Sequence, residues 1–179
     1  VNLSKHHLLR FINNNICWIR VLYPDYRLVE NASVIMDESR TVPYSAEKGG
    51  YYRELDNLNY NSQHTIQVEV PDNENISGSV EIPSHFVIRL RDSLDTLIVN
   101  WTPADSMQTP PDSWRVIIRQ GSDTLLIRSV GQEENTVKRY PMDSFNGVDV
   151  LIDAMKGGEL EGARSNSVFI GLVKKRKEF

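Results

Sequence analysis

The chain has 179 residues, 40% of them hydrophobic and 25% charged, with a net charge of −4. This length suits two domains of about 90 residues each, and the slight negative charge argues against a broad basic face for nucleic acid or an anionic membrane. A single cysteine, Cys17, excludes an internal disulfide and a zinc site built from cysteines, and no run reaches the roughly 18 apolar residues of a transmembrane helix.

The first twelve residues are compatible with a short helix. Ser4 is a suitable N-cap, and Leu8, Phe11 and Ile12 would then share one side of the helix. A docked or frayed terminus fits the same residues. Further along, Cys17 lies among apolar neighbours, which predicts a buried thiol within a strand.

From Cys17 onward, short apolar runs alternate with turn residues at intervals of about ten residues, which is typical of all-β proteins. In the segment 65–70, Ile66, Val68 and Val70 alternate with polar residues, which predicts one buried and one wet face. We predict that a first sandwich contains strands Trp18–Tyr23, Ala32–Asp37, Thr41–Ser45, Tyr51–Leu55, His64–Val70 and Ser77–Ile82.

Pro83 marks a boundary, because proline suits the end of a strand rather than its middle. We therefore predict an N-terminal domain at 1–83 and a second domain at 84–179, each an antiparallel sandwich. Leu151 is the one apolar residue on the polar side of the strand at 148–154. The predicted strands of the second domain are His85–Arg91, Thr96–Trp101, Trp114–Gln120, Thr124–Val130, Thr136–Tyr140, Val148–Ala154 and Ser167–Val173.

Three of these strands and one further segment resemble a fibronectin type III domain. Residues 97–101, ending in Trp101, resemble strand B with its core tryptophan, and residues 114–118, beginning with Trp114, resemble strand C. Residues 148–154 resemble strand F, with Val148 where the family usually has tyrosine, and residues 163–166 resemble the approach to strand G. The resemblance implies an immunoglobulin-like sandwich without catalytic activity.

The first half is similar to transthyretin-like and carboxypeptidase-regulatory-like sandwiches in residues 29–34, 49–52, 60–70 and 76–83. The ordered pair of domains also resembles uncharacterised bacterial surface lipoproteins. That resemblance implies an extracytoplasmic location, either at the cell surface, in the periplasm or secreted. Small residues do not precede Cys17, so we expect any lipid anchor to be attached upstream of Val1.

The sequence motifs do not indicate an enzyme. The four histidines have no ligand spacing, and no serine lies in a Gly-x-Ser-x-Gly elbow. We therefore predict no catalytic residue, no metal and no cofactor. The triplets that begin at Asn31, Asn75 and Asn100 match the glycosylation pattern, although Asn100 lies within a predicted strand.

Partner binding is the function that the sequence favours. In a fibronectin-like topology the loops 103–113, 131–135 and 156–166 would gather at one end and form an acidic rim for a basic partner or a cation. The candidate contact residues are Asp105, Met107, Glu133, Glu134, Glu159 and Glu161. We expect a non-catalytic binding or spacer protein that presents loops or strand edges to a protein partner.

An accessory glycan-binding domain pair of a secreted hydrolase is the alternative function. Four aromatic residues of the first half would supply rings that stack on sugars. They are Trp18, Tyr51, Tyr52 and Tyr60. The expected partner is thus a protein or a cell-surface glycan, and not nucleic acid.

Overall fold

The computed structural model is all-β and describes residues 7–13, 15–56, 59–71, 75–103, 109–132, 138–141, 143–163 and 167–179. The described residues contain no helix, and hence none long and apolar enough to cross a membrane. The strands are β1 His7–Asn13, β2 Ile16–Leu22, β3 Ser33–Met36, β4 Arg40–Thr41, β5 Tyr44–Ser45, β6 Gly50–Glu54, β7 Gln63–Glu69, β8 Asn75–Glu81, β9 Phe86–Asp92, β10 Thr96–Pro103, β11 Ser113–Gln120, β12 Asp123–Gly131, β13 Lys138–Pro141, β14 Val148–Gly157, β15 Glu159–Glu161 and β16 Val168–Glu178.

The chain forms two compact units. The first contains residues 1–82 and 156–172, and the second contains 83–155 and 173–179. The segment 156–172, which we assigned to the second domain from the sequence, thus belongs to the first unit. The reason is strand pairing: β15 pairs with β8, and the first part of β16 pairs with β1.

The first unit is a sandwich of two sheets. One sheet has the strand order β5-β6-β2-β1-β16, and the other has the order β15-β8-β7-β3-β4. Strand β7 shows the expected alternation, with His64, Ile66 and Val68 buried and their neighbours exposed. Cys17 is fully buried on β2, as predicted.

Two expectations for the first unit are wrong. Residues 7–13 form strand β1 rather than part of a helix, because β1 pairs with β2 on one side and with β16 on the other. The predicted strand Thr41–Ser45 is two short strands in different sheets. The chain changes sheet at Val42 and Pro43, where Val42 is buried and proline has no amide proton to donate to a ladder.

The second unit is an immunoglobulin-like, fibronectin type III-like sandwich, because a three-stranded sheet of order β13-β10-β9 packs on a four-stranded sheet of order β12-β11-β14-β16. Its core contains both tryptophans that carried the resemblance. The ring centroids of Trp101 and Trp114 lie 6.1 Å apart, and Phe86 meets the Trp114 ring edge-on at 5.1 Å. Val148 is buried at the position where we noted that the family tyrosine is missing.

Candidate functional site

The predicted acidic contact residues are only partly described by the structure. Asp105, Met107, Glu133 and Glu134 lie outside the described residues. Glu159 and Glu161 lie on β15 in the first unit, opposite Ser79 and Ser77 of β8. Our expectation that residues 156–166 form a loop of the second domain is therefore wrong, because residues 159–161 complete one edge of a sheet.

Glu159 and Glu161 line an open groove on the outer face of that sheet. The groove has a volume of about 290 Å³, and Glu38, Thr65 and Gln67 are also part of its wall. Within the described part of the chain, no group of three or more histidine, cysteine, aspartate or glutamate residues is placed to hold a metal ion. The groove is therefore a polar, acidic surface without the geometry of a metal site.

A hydrogen-bonded serine, histidine and aspartate also lie in the first unit. Ser62 Oγ is 2.7 Å from His64 Nε2, and His64 Nδ1 is 2.9 Å from Asp37 Oδ2. The order of the three groups is that of a serine hydrolase relay. Sequence reasoning missed this array, because Asp37 is distant in sequence and Ser62 lies in none of the known nucleophile motifs.

Ser62 has a second contact besides that with His64. Its hydroxyl also donates to the carbonyl oxygen of Asn59, which can only accept. Since a nucleophilic serine gives its proton to the histidine, this carbonyl competes with His64 for the single hydroxyl proton. The imidazole of His64 is also buried, and the second oxygen of Asp37 accepts the amide of Thr65. The array therefore fastens the turn after β3 and the loop before β7 onto β7.

The four aromatic residues proposed for glycan stacking do not form one surface. Tyr51 is 2% exposed in the core; its hydroxyl donates to the Val29 carbonyl at 2.8 Å and accepts the Ala32 amide at 2.7 Å. Burial is the main cause that raises the pKa of the Tyr51 phenol. Tyr60 lies in the turn before β7.

Trp18 and Tyr52 do lie together. They are directly opposite each other on the paired strands β2 and β6, and both are half-buried. Their chain neighbours Cys17, Ile19 and Tyr51 are buried on the other side of the sheet. The two rings therefore occupy the outer face of the sheet. We call Trp18 and Tyr52 the aromatic pair.

The second unit exposes a short apolar row on the outer face of its four-stranded sheet. Ile117 on β11 lies directly opposite Ile127 of β12 and Leu151 of β14. Ile127 is 65% exposed, and the other two side chains are half-buried. We call these three residues the apolar row. It explains why Leu151 departs from the alternation of its strand.

Ion pairs border the apolar row on both sides. Arg115 donates from Nε to the buried carboxylate of Asp153 at 2.8 Å, and its Nη2 contacts the same oxygen. At the other side Arg176 Nε donates to Asp149 Oδ1 at 2.8 Å, and this hydrogen bond is the main cause that raises the pKa of Arg176. These two ion pairs flank the apolar centre of this face.

Comparisons with known proteins add little to this picture. No protein-family model matches the chain, and no curated protein matches it. Among solved structures, the chain is similar to a two fibronectin type-III domain segment from chicken tenascin, with 13% sequence identity, a TM-score of 0.32, and coverage of 93% of this chain and 94% of that chain. The fold assignment of the second unit consequently rests on its own strand order and core.

Proposed function

We propose that this chain is a non-catalytic, extracytoplasmic binding protein that presents the apolar row of its second unit to a protein partner. The observation that carries this proposal is Ile127, a large apolar side chain that is 65% exposed on an edge strand. Apolar side chains at the centre of an otherwise polar surface are the usual anchors of protein interfaces. The paired charges around the row would then form the polar rim.

The face of the sheet, rather than the free edge of β12, is the surface that we assign to the partner. The pairing of β12 with β11 shifts register between Ile118 and Arg119. In addition, the hydroxyl of Tyr140 donates to the carbonyl of Leu125 on β12, at 3.1 Å. Arg128, opposite the buried Val116, places a charge on the core side of the strand. Bulges and inward charges are devices that protect an edge from strand addition.

Matched surface variants test the proposal. We would immobilise the intact protein, Ile127→Lys and Val87→Lys, and compare the secreted and surface proteins that each retains from the cells that produce the chain. Val87 is a good control, because it is also an exposed apolar residue of the second unit, at 39%, but lies on β9 in the other sheet. The expected result is one discrete protein retained by the wild type and by Val87→Lys and lost with Ile127→Lys.

Two results would overturn this function. Retention of the same proteins by all three forms would show that the apolar row is not the contact, and retention of none would favour a spacer. The contribution of the loop residues Asp105, Met107, Glu133 and Glu134 stays a prediction, to be tested in the same way once the partner is purified.

A further inference from the structure

The aromatic pair of the first unit has the geometry of a platform for a ring-shaped ligand. Trp18 and Tyr52 are direct cross-strand neighbours, and side chains in this position have β-carbons about 5 Å apart. Both residues are half-buried, so part of each remains accessible to solvent. The outer face of a sheet suits a shallow contact rather than a deep pocket.

The platform is fixed before any ligand arrives. The indole nitrogen of Trp18 donates to the carbonyl of Lys48 at 3.0 Å, and the backbone amide of Tyr52 donates to Pro43 at 2.9 Å. The amide of Lys48 in turn donates to Ser45 Oγ at 3.3 Å. A contact surface that is already ordered loses less conformational entropy on binding.

A cation lies over each ring, near the outer limit of about 6 Å for a cation–π contact, and the two cations differ in their ion pairs. Lys48 Nζ lies 5.6 Å from the centroid of Tyr52 and forms an ion pair with Glu47 at 3.0 Å. The guanidinium carbon of Arg20 lies 5.9 Å from the centroid of Trp18. Among the described residues no carboxylate pairs with Arg20, and its Nε is buried without a hydrogen-bond acceptor. Within the described part of the chain, Arg20 therefore contacts the Trp18 ring but has no carboxylate partner.

We propose that Trp18, Tyr52 and Arg20 bind an acidic sugar, with the apolar face of a uronic acid ring on the aromatic pair and its carboxylate on Arg20. Planar guanidinium groups match carboxylates in geometry and charge. A nucleotide also combines a stacking ring with negative charge. The acidic balance of the chain and one cation without a carboxylate partner beside the aromatic pair do not provide the wide basic face that nucleic acids need.

Tryptophan fluorescence of the intact protein is a direct readout. Trp101 and Trp114 are 0% and 1% exposed in the second unit, whereas Trp18 is half-buried. We would titrate the protein with oligogalacturonate and with a neutral galactose oligosaccharide of equal length, and measure affinities by calorimetry in parallel. The proposal predicts tighter binding of the uronate, with a fluorescence change that Trp18→Phe abolishes.

Matched variants assign the two interactions. Arg20→Gln should weaken uronate binding about tenfold and remove the preference over the neutral sugar, while Arg20→Lys keeps a preference. Tyr52→Ala should weaken the binding of both sugars about tenfold or more. Tyr26→Ala, which changes a tyrosine that is 64% exposed in a turn of the same unit, should change neither affinity.

Several outcomes would overturn the proposal. One is equal affinity for acidic and neutral sugars. Another is uronate binding that survives both Arg20→Gln and Tyr52→Ala in variants with unchanged circular dichroism. A third is the absence of uronate binding at millimolar concentration. Stronger quenching by a single-stranded oligonucleotide than by the uronate would also overturn the sugar assignment. None of these results affects the test of the protein interface, because Ile127 lies in the second unit.

Discussion

The hairpin between β9 and β10 contains a leucine that is unfavourable in two ways. Ser93 and Thr96 exchange two backbone hydrogen bonds of 3.0 Å across a two-residue turn, in which Leu94 has φ 44° and Asp95 has φ 58°. Such turns favour Asn-Gly, because left-handed backbone crowds the β-carbon of other residues at a cost of about 1 kcal/mol. Leu94 is also 96% exposed, so its removal loses almost no burial.

Leu94→Asn should therefore raise the free energy of unfolding of the second unit by about 1 kcal/mol, because asparagine adopts left-handed backbone more readily than leucine. With a urea dependence of about 1 to 2 kcal/mol/M, the unfolding midpoint rises by about 0.5 to 1 M. The assay is urea unfolding followed by tryptophan fluorescence in a Trp18→Phe background. Both remaining tryptophans, Trp101 and Trp114, are buried in the second unit and report its unfolding.

Leu94→Ala separates backbone strain from side-chain exposure. Alanine removes the exposed side chain but keeps the β-carbon, so its midpoint should stay near that of the wild type. A midpoint for Leu94→Asn at or below the wild-type value would refute the reasoning. Equal gains for Leu94→Ala and Leu94→Asn would show that exposure of the leucine, and not its backbone conformation, was the cost.

Three further predictions concern buried polar groups. Arg115→Ala leaves the carboxylate of Asp153, which is 4% exposed, without its partner. Since Arg115 is itself partly solvated, the free energy of unfolding should fall by about 2 kcal/mol. The double variant Arg115→Ala/Asp153→Asn should recover part of this loss. Burial raises the pKa of the Tyr51 phenol above its ordinary value of 10.0, so the contribution of the protonated phenol to folding stability is complete below pH 10 and is lost as the pH rises through the folded-state pKa. The melting temperature of Tyr51→Phe should therefore decrease less at alkaline pH than that of the wild type. A fluorophosphonate probe should not label Ser62, and labelling that His64→Ala removes would contradict the structural role of the array.

Local alternation predicted most of the strands. The segments around Trp101, Trp114 and Val150 bury one face each, as their patterns indicate. One failure is local, because the predicted strand Thr41–Ser45 divides where the chain changes sheet. The others involve distant partners: β1 pairs with the adjacent β2 but also with β16, more than 150 residues away, and the three-residue β15 pairs with β8. A local pattern contains no information on such partners.

The candidate surfaces were less predictable than the fold. From the sequence, Trp18, Tyr51, Tyr52 and Tyr60 were equal candidates for a sugar platform, and only the register of β2 with β6 selects Trp18 and Tyr52. Strand alternation does already place Tyr51 and Tyr52 on opposite faces. That Arg20 has no carboxylate partner among the described residues could not be predicted, because it depends on which carboxylates lie nearby in three dimensions.

Leu151 shows how a departure from alternation can be interpreted. In the structure it is opposite Ile117, while its neighbours Val150 and Ile152 fill the core at 0% exposure. An apolar cross-strand pair stabilises a sheet by about 0.2 to 1 kcal/mol, so the apolar row could exist for the fold alone. Ile127→Thr separates the two explanations, because threonine retains the preference for a strand and loses most of the apolar surface. A role in the fold alone predicts a small loss of stability with retention of the partner unchanged, whereas an interface role predicts a loss of partner affinity that exceeds the loss of stability.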